Sequence, residues 1–247
     1  GASLKKPNII IILIDDMGWT DLGCCGSSFY ETPNLDAMAA KGIRFSNAYA
    51  ACPVCSPTRA SIMTGKYPAT VGVTNWIPGT GKGRLLEKPY VHHLPQEETS
   101  LAKALKMHGY NTWHVGKWHL GNEPFYPEKH GFDVNIGGCD WGMLRNGYFS
   151  PWGIPNLSDG PKGEDITDFL TNEAIRLIEN NRNKPFFLNL WHYSVHIPIQ
   201  ASEKLVYKYR EKAKSIVLEK VRTFEEGGFF KTVTKRTQRV QRRLVQS

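Results

Sequence analysis

Three apolar runs along the chain each stop at ionisable residues. Asn8-Ile9-Ile10-Ile11-Ile12-Leu13-Ile14 stops at Asp15-Asp16-Met17-Gly18. Tyr110-Asn111-Thr112-Trp113-His114-Val115 leads into Gly116-Lys117-Trp118-His119-Leu120-Gly121. Pro185-Phe186-Phe187-Leu188-Asn189-Leu190-Trp191-His192 leads into Tyr193-Ser194-Val195-His196. Runs this short and this rich in β-branched and aromatic residues predict strands, and the unbroken first one reads as a central strand buried on both faces. Helical patterns alternate with them. Thr32-Pro33 starts a segment with Leu35, Met38 and Ala39 that Gly42 closes. Thr99-Ser100 precedes Leu101, Ala104 and Leu105, with Gly109 as the stop, and Asp165 or Thr167 opens a longer helix through Phe169, Leu170, Ala174, Leu177 and Ile178. Strands alternating with helices predict an α/β fold with a largely parallel central sheet flanked by helices.

That fold class carries a functional rule: sites form beyond the carboxyl ends of parallel strands. Asp15/Asp16, Lys117/His119 and His196 fall at such ends, and Cys55 lies just past a further apolar stretch, Phe45 to Ala51. Four segments therefore bring chemistry to one edge. Cys55-Ser56-Pro57-Thr58-Arg59 adds a local device. Pro57 suits the first turn of a helix that continues through Ala60, Ile62 and Met63 to Gly65. Cys55 then sits at the helix N-terminus, where N–H groups and the macrodipole favour an anion, and Arg59 lies one turn on, on the same face. Cys52-x-x-Cys55 by itself equally suits half a zinc site or a redox pair.

The remaining composition narrows the picture. A chain of 247 residues, 40% hydrophobic, can bury a substantial core as one large domain or two. No apolar run is long enough to span a bilayer, and Gly1-Ala2-Ser3 followed by Lys5, Lys6 and Pro7 lacks the apolar core of a signal peptide. The address stays open: periplasmic or secreted if a signal peptide was removed, otherwise cytoplasmic. Five cysteines form an odd count in a chain too large to need disulfides, and adjacent Cys24 and Cys25 suit a tetrahedral zinc site with Cys52 and Cys55 poorly. Of the net charge of +8, most lies in residues 215–247, which hold eight Lys and Arg against three Glu. That tail lacks interleaved aromatics and any nucleic-acid-reading motif, so a solvated helix or linker is expected and no nucleic-acid partner.

The chain resembles the type I, formylglycine-dependent sulfatases of the alkaline-phosphatase-like superfamily, in their N-terminal portion. The resemblance rests on Lys6-Pro7-Asn8-Ile9 leading to Asp15-Asp16-Met17-Gly18, Thr32-Pro33-Asn34-Leu35-Asp36, Gly42-Ile43-Arg44-Phe45, the C-x-P-x-R block with Ser61-Ile62-Met63-Thr64-Gly65, and Gly116-Lys117-Trp118-His119-Leu120-Gly121. It implies that a maturation enzyme oxidises Cys55 to formylglycine. It also implies that Asp15, Asp16 and residue 55 hold a divalent cation, Ca2+ with Mg2+ as the alternative; paired carboxylates are hard ligands suited to either. A hydrated formylglycine, activated by the metal, would attack sulfur with one hydroxyl and expel sulfate through the second, which a plain alcohol lacks. Arg59 would steady that group and the carboxylates, Lys117 would bind a sulfate oxygen, His119 would assist proton removal, and His196 would protonate the leaving alcohol. His192, four residues before His196, could substitute for it. His92, His93, His108, His114 and His130 carry no motif and default to surface or structural roles.

The implied activity is hydrolysis of sulfate esters on a sulfated sugar or glycan. The alternatives are a phosphonate or phosphate monoester hydrolase of the same superfamily, or an inactive fragment or sulfated-glycan binder. Gly- and Pro-rich loops from Pro78 to Pro95 and Asp140 to Pro155 suit substrate pockets at the active edge. Trp141, Arg145, Tyr148 and Trp152 would fit a sugar ring and an anionic group, and plain loop packing explains them equally well. Members of the family are longer, with an Asp-Asn pair completing the metal site and a further sulfate-contacting lysine. Here Asp168 is the last aspartate and no Asp-Asn dipeptide occurs. The expected organisation is an incomplete catalytic domain over 1–214 and a basic tail over 215–247 leading to a further C-terminal part, with little activity in isolation.

Overall fold

The computed structural model describes residues 6–79, 84, 88–181 and 183–215. Four strands form one parallel sheet: β1 (Ile9–Ile14), β2 (Asn111–Gly116), β3 (Val134–Ile136) and β4 (Phe186–His192), in the order β1-β4-β2-β3. β4 is central and every residue of it is buried. Its register aligns Ile14 with His192 and Gly116 with Trp191, so three strands finish level with one another. That alignment makes one edge of the sheet a shared platform.

Alternation along β4 divides the core. Phe186, Leu188 and Leu190 face one side with Trp113 and Val115 of β2, covered by α5 (Ile166–Glu179) through Ile166, Leu170 and Ala174. Phe187 and Trp191 face the other, covered by Ala60 and Met63 of α2 (Cys55–Thr64) and Ala102 of α4 (Leu101–Met107). The caps follow sequence chemistry. The Ser100 hydroxyl accepts the Lys103 N–H at 3.0 Å, the Asp165 carboxylate accepts the Thr167 N–H at 2.8 Å, and Gly65 takes the left-handed conformation that ends α2. A four-residue helix, α3 (Pro68–Val71), follows α2.

Two expectations are corrected. Among the described residues β1 is an edge strand: it pairs only with β4, and Ile10 and Ile12 on its outer face are 46% and 48% exposed. A continuous apolar run does not by itself separate a central strand from an edge one. The stretch Phe45 to Ala51 forms no strand, and Phe45 and Tyr49 are exposed, so Cys55 is delivered by a loop.

The described residues fall into two compact units. One comprises Ile43–Gln200 with the residues up to Gly18; it contains the whole sheet. The other comprises Trp19–Gly42 and the described residues from Ala201 onward, with α1 (Pro33–Lys41) and α6 (Glu203–Ser215). Within that second unit Asp36 accepts the Cys24 N–H at 2.7 Å, Phe29 and Tyr30 pack on Tyr209, and Glu31 pairs with Lys208 and Lys212 of α6. The tail beyond Ser215 and most of residues 80–87 lie outside the described residues. No helix among the described residues is long and apolar enough to cross a membrane.

Candidate active site

Asp15 leaves β1 and is fixed by its backbone: its N–H donates to the Ser194 carbonyl at 2.8 Å, and its carbonyl accepts the Val195 N–H at 2.7 Å. The carboxylate is buried between two cations, Arg59 Nη2 at 3.2 Å and Lys117 Nζ. Burial alone would raise its pKa, but the charges of Arg59 and then Lys117 outweigh that, and the carboxyl lies below its ordinary value. Two buried cations share one carboxylate, which leaves a net positive centre suited to an anion.

Arg59 is expected one turn from Cys55 on the same face. Its guanidinium pairs with Asp15, one of the carboxylates it is expected to steady, donates to the Lys117 carbonyl at 2.9 Å and lies 5.0 Å over the Trp191 ring. Gly116 lets β2 turn into this cluster. It adopts φ +107°, and a Cβ there would lie 2.0 Å from the Trp191 carbonyl oxygen. The Lys117 N–H then donates to that same oxygen at 2.8 Å. Lys117 is fully buried; burial and Arg59 lower its pKa, opposed by Asp15.

His119 adopts φ +57° and meets Cys55 directly, with Nδ1 3.2 Å from Sγ. Its Nε2 abuts the Ile77 carbonyl, an obligate acceptor, so Nε2 carries the proton and Nδ1 turns a lone pair to residue 55. Burial, reinforced by Lys117, pushes its pKa down to about 3, so the ring is neutral at pH 7. Three groups that the sequence reading missed hold it. The Ser56 hydroxyl donates to the His119 carbonyl at 3.0 Å and accepts the Ile77 N–H at 3.1 Å, and the His119 N–H donates to the Cys139 carbonyl at 3.0 Å. Gly142 lies against the ring, where a Cβ would sit 2.4 Å from Cε1. Ser56 stood inside the C-x-P-x-R block as an unassigned position; no local signal marks Gly142.

His196 lies beyond β4, with Nε2 3.6 Å from an Asp16 carboxylate oxygen. The Tyr148 hydroxyl contacts both the Tyr193 and His196 carbonyls at 2.8 Å, which fixes this turn. His192 is the last residue of β4 and is buried, its pKa lowered by burial, so His196 is the histidine that faces Asp16. The structure thus brings Cys55 to His119 and Asp15 to Arg59 and Lys117, and sets His196 against Asp16, all in the first unit. His114 and His130 are buried structural residues. Of the loop aromatics, Trp152 and Tyr148 are packed in the core, whereas Arg145 is exposed and lies 4.4 Å over the Trp141 ring.

The Cys55 thiol sits at the head of α2 and faces Nδ1 of His119, and its sulfur marks the place that any modified residue 55 would occupy. A hard cation takes six or more oxygens. Asp15 is already engaged by two cations and Asp16 is largely exposed. No group of three or more His, Cys, Asp or Glu side chains among the described residues is placed to hold a metal ion. The two carboxylates match a hard cation in chemistry and fall short of one in number.

Comparison with known proteins gives a consistent result. The Sulfatase family profile matches residues 7–226. The chain is 39% identical over 222 residues to human N-acetylgalactosamine-6-sulfatase, covering 81% of this chain and 41% of that protein. It is 40% identical over 215 residues to dog arylsulfatase G, covering 85% of this chain and 36% of that one. Among solved structures it resembles i-CgsB in complex with k-i-k-neocarrahexaose, with a TM-score of 0.68, 32% identity and coverage of 83% and 49%. The chain spans about two-fifths of the length of these curated relatives.

Proposed function

The chain belongs to the sulfatase family, and from that premise we propose that it carries the nucleophilic half of a sulfuric-ester hydrolase acting on sulfated sugars. The observation that carries this reading is the 3.2 Å contact between Cys55 Sγ and the lone-pair nitrogen of His119, beside the net positive Arg59–Asp15–Lys117 cluster. Relatives named for N-acetylgalactosamine 6-sulfate support a 6-sulfated amino sugar as the substrate class.

A formylglycine at residue 55, installed by a maturation enzyme, supplies a hydrated aldehyde with one hydroxyl to attack sulfur and a second to drive sulfate out. His119 Nδ1 faces that residue and accepts a hydrogen bond from its hydroxyl, which holds the nucleophile in line with sulfur. Lys117 and Arg59 hold positive charge where negative charge grows on the sulfuryl oxygens. His196, oriented by Tyr148 through its carbonyl, gives a proton to the departing sugar oxygen. Asp15 keeps Lys117 and Arg59 aligned.

A Ca2+ ion at Asp15 and Asp16 belongs to the same proposal, with its remaining oxygen donors coming from outside the described residues. Calorimetric titration of Ca2+ into this chain is therefore expected to show weak binding; stoichiometric micromolar binding would contradict that part. The activity itself is tested by comparing 4-nitrophenyl sulfate with 4-nitrophenyl phosphate, using the matured full-length protein with formylglycine at residue 55 and saturating Ca2+. Sulfate turnover should dominate. Dominant phosphate turnover would transfer the site to phosphate monoesters.

A further inference from the structure

The loop from Cys139 to Tyr148 touches both catalytic histidines. At one end the Cys139 carbonyl accepts the His119 N–H at 3.0 Å and Gly142 lies against the His119 ring. At the other end the Tyr148 hydroxyl reaches the His196 carbonyl at 2.8 Å. Leu144 is buried and pins the middle. Arg145 is three residues from Gly142 and three from Tyr148, and three residues span at most about 11 Å. Its backbone is therefore held at the rim of the site by anchors on both sides.

Arg145 is also a cation without an anion. Among the described residues it forms no ion pair and no hydrogen bond, and its guanidinium lies 4.4 Å over the ring of Trp141, which is itself buried. The acidic side chain of the same loop, Asp140, accepts instead from the Tyr126 hydroxyl at 3.3 Å. The cation–π contact with a buried indole restricts where the guanidinium can lie, and its N–H groups, unpaired among the described residues, can give a carboxylate or sulfate two hydrogen bonds. The reacting sulfate already has Lys117 and Arg59 beside residue 55. A further cation on the rim calls for a further anion on the ligand.

We propose that Arg145, laid over Trp141, recognises a second anionic group of the sulfated sugar, a carboxylate on the neighbouring residue or a second sulfate ester; this rests on the sulfated-sugar reading. The substrate class becomes a polyanionic glycan rather than an isolated monosulfated sugar.

The test is calorimetric titration with residue 55 left as the thiol, so that no sulfate is released. The probes are N-acetylgalactosamine 6-sulfate, the same sugar joined to a uronic acid, and N-acetylgalactosamine 4,6-disulfate. The wild-type protein should bind at least one of the two dianionic sugars about tenfold more tightly than the monosulfated one, the size expected for one charge-assisted bidentate contact. Arg145→Ala should abolish that preference and leave monosulfated binding unchanged, and Arg145→Lys should keep part of it. Lys184→Ala removes an equal charge before β4, at the opposite edge of the sheet, and should leave the preference intact. The uronate and disulfate arms identify which anion is read. A preference that survives Arg145→Ala, or that Lys184→Ala removes equally, overturns the subsite, as does equal binding of all three sugars to the wild type. Binding of none of them overturns the sulfated-sugar reading itself, and the subsite with it.

Discussion

Gly142→Ala adds one methyl group at the point where the structure is least able to accept it. Gly142 is not in the left-handed region, so alanine is allowed by the backbone and the whole effect is steric. The new Cβ would lie 2.4, 2.7 and 3.0 Å from Cε1, Nε2 and Nδ1 of His119, where carbon atoms pack at about 3.5–4.0 Å. The ring must retreat by about 1 Å, yet its Nε2 is held on the Ile77 carbonyl and its backbone on Cys139 and Ser56. Overpacking of this kind costs about 1–3 kcal/mol of stability. A 1 Å misplacement of a reacting group costs about a hundredfold in rate. Urea unfolding should show the modest loss, while the histidine side-chain ¹⁵N–¹H spectrum should show the Nε2–H signal of His119 displaced or lost to exchange. Turnover by the matured full-length protein at saturating Ca2+ should fall in kcat far more than in KM. An unchanged His119 signal with unchanged kcat would refute the claim that Gly142 sets the ring's place.

Asp15→Asn leaves Arg59 and Lys117 buried without their carboxylate and should cost about 3–5 kcal/mol in urea unfolding; a loss below about 1 kcal/mol would contradict the buried triad. His130 is buried, and burial, with Lys103 and His93 adding, lowers its pKa from 6.5 to about 4. Its depressed folded-state pKa means that its contribution is full above pH 6.5 and is lost as pH falls toward 4. The wild type should therefore lose about 2 kcal/mol between pH 7 and pH 5 that His130→Gln does not, and parallel pH profiles for the two proteins would reject this. His196→Ala should slow a sugar sulfate more than 4-nitrophenyl sulfate, whose leaving group needs no proton; equal losses would remove His196 from the acid role.

The active edge is legible in the sequence because parallel strands must end together. An apolar run followed by Asp15-Asp16, by Lys117 and His119, or by His196 therefore states its destination. Cys55 at the head of a helix is legible for a similar local reason, since Pro57 and Gly65 bracket it. What joins these segments is not local. Arg59 pairs with Asp15, separated from it by 44 positions in sequence, and only the folded chain sets that distance. The holding of His119 by the Ile77 and Cys139 carbonyls involves backbone atoms, which carry no residue identity. Among the described residues Phe45 to Ala51, apolar enough for a strand, pairs with nothing, and β1, which reads as central, lies at an edge. Hydrophobicity records a tendency to be covered, not the element that does the covering.

The most direct test of the central claim is covalent. In Cys55→Ser, a hydroxyl replaces the modified residue without the second oxygen needed to expel sulfate. Attack by Oγ on an aryl sulfate forms the Oγ–S bond, breaks the bond from sulfur to the aryl oxygen, and leaves the sulfuryl group on the protein. After incubation of the full-length variant with 4-nitrophenyl sulfate and saturating Ca2+, mass spectrometry of the peptide carrying residue 55 should show a gain of about 80 Da at that serine, with one equivalent of nitrophenol released. Nitrophenol release with no sulfate on residue 55, or sulfate found on another residue, would contradict its assignment as the nucleophile.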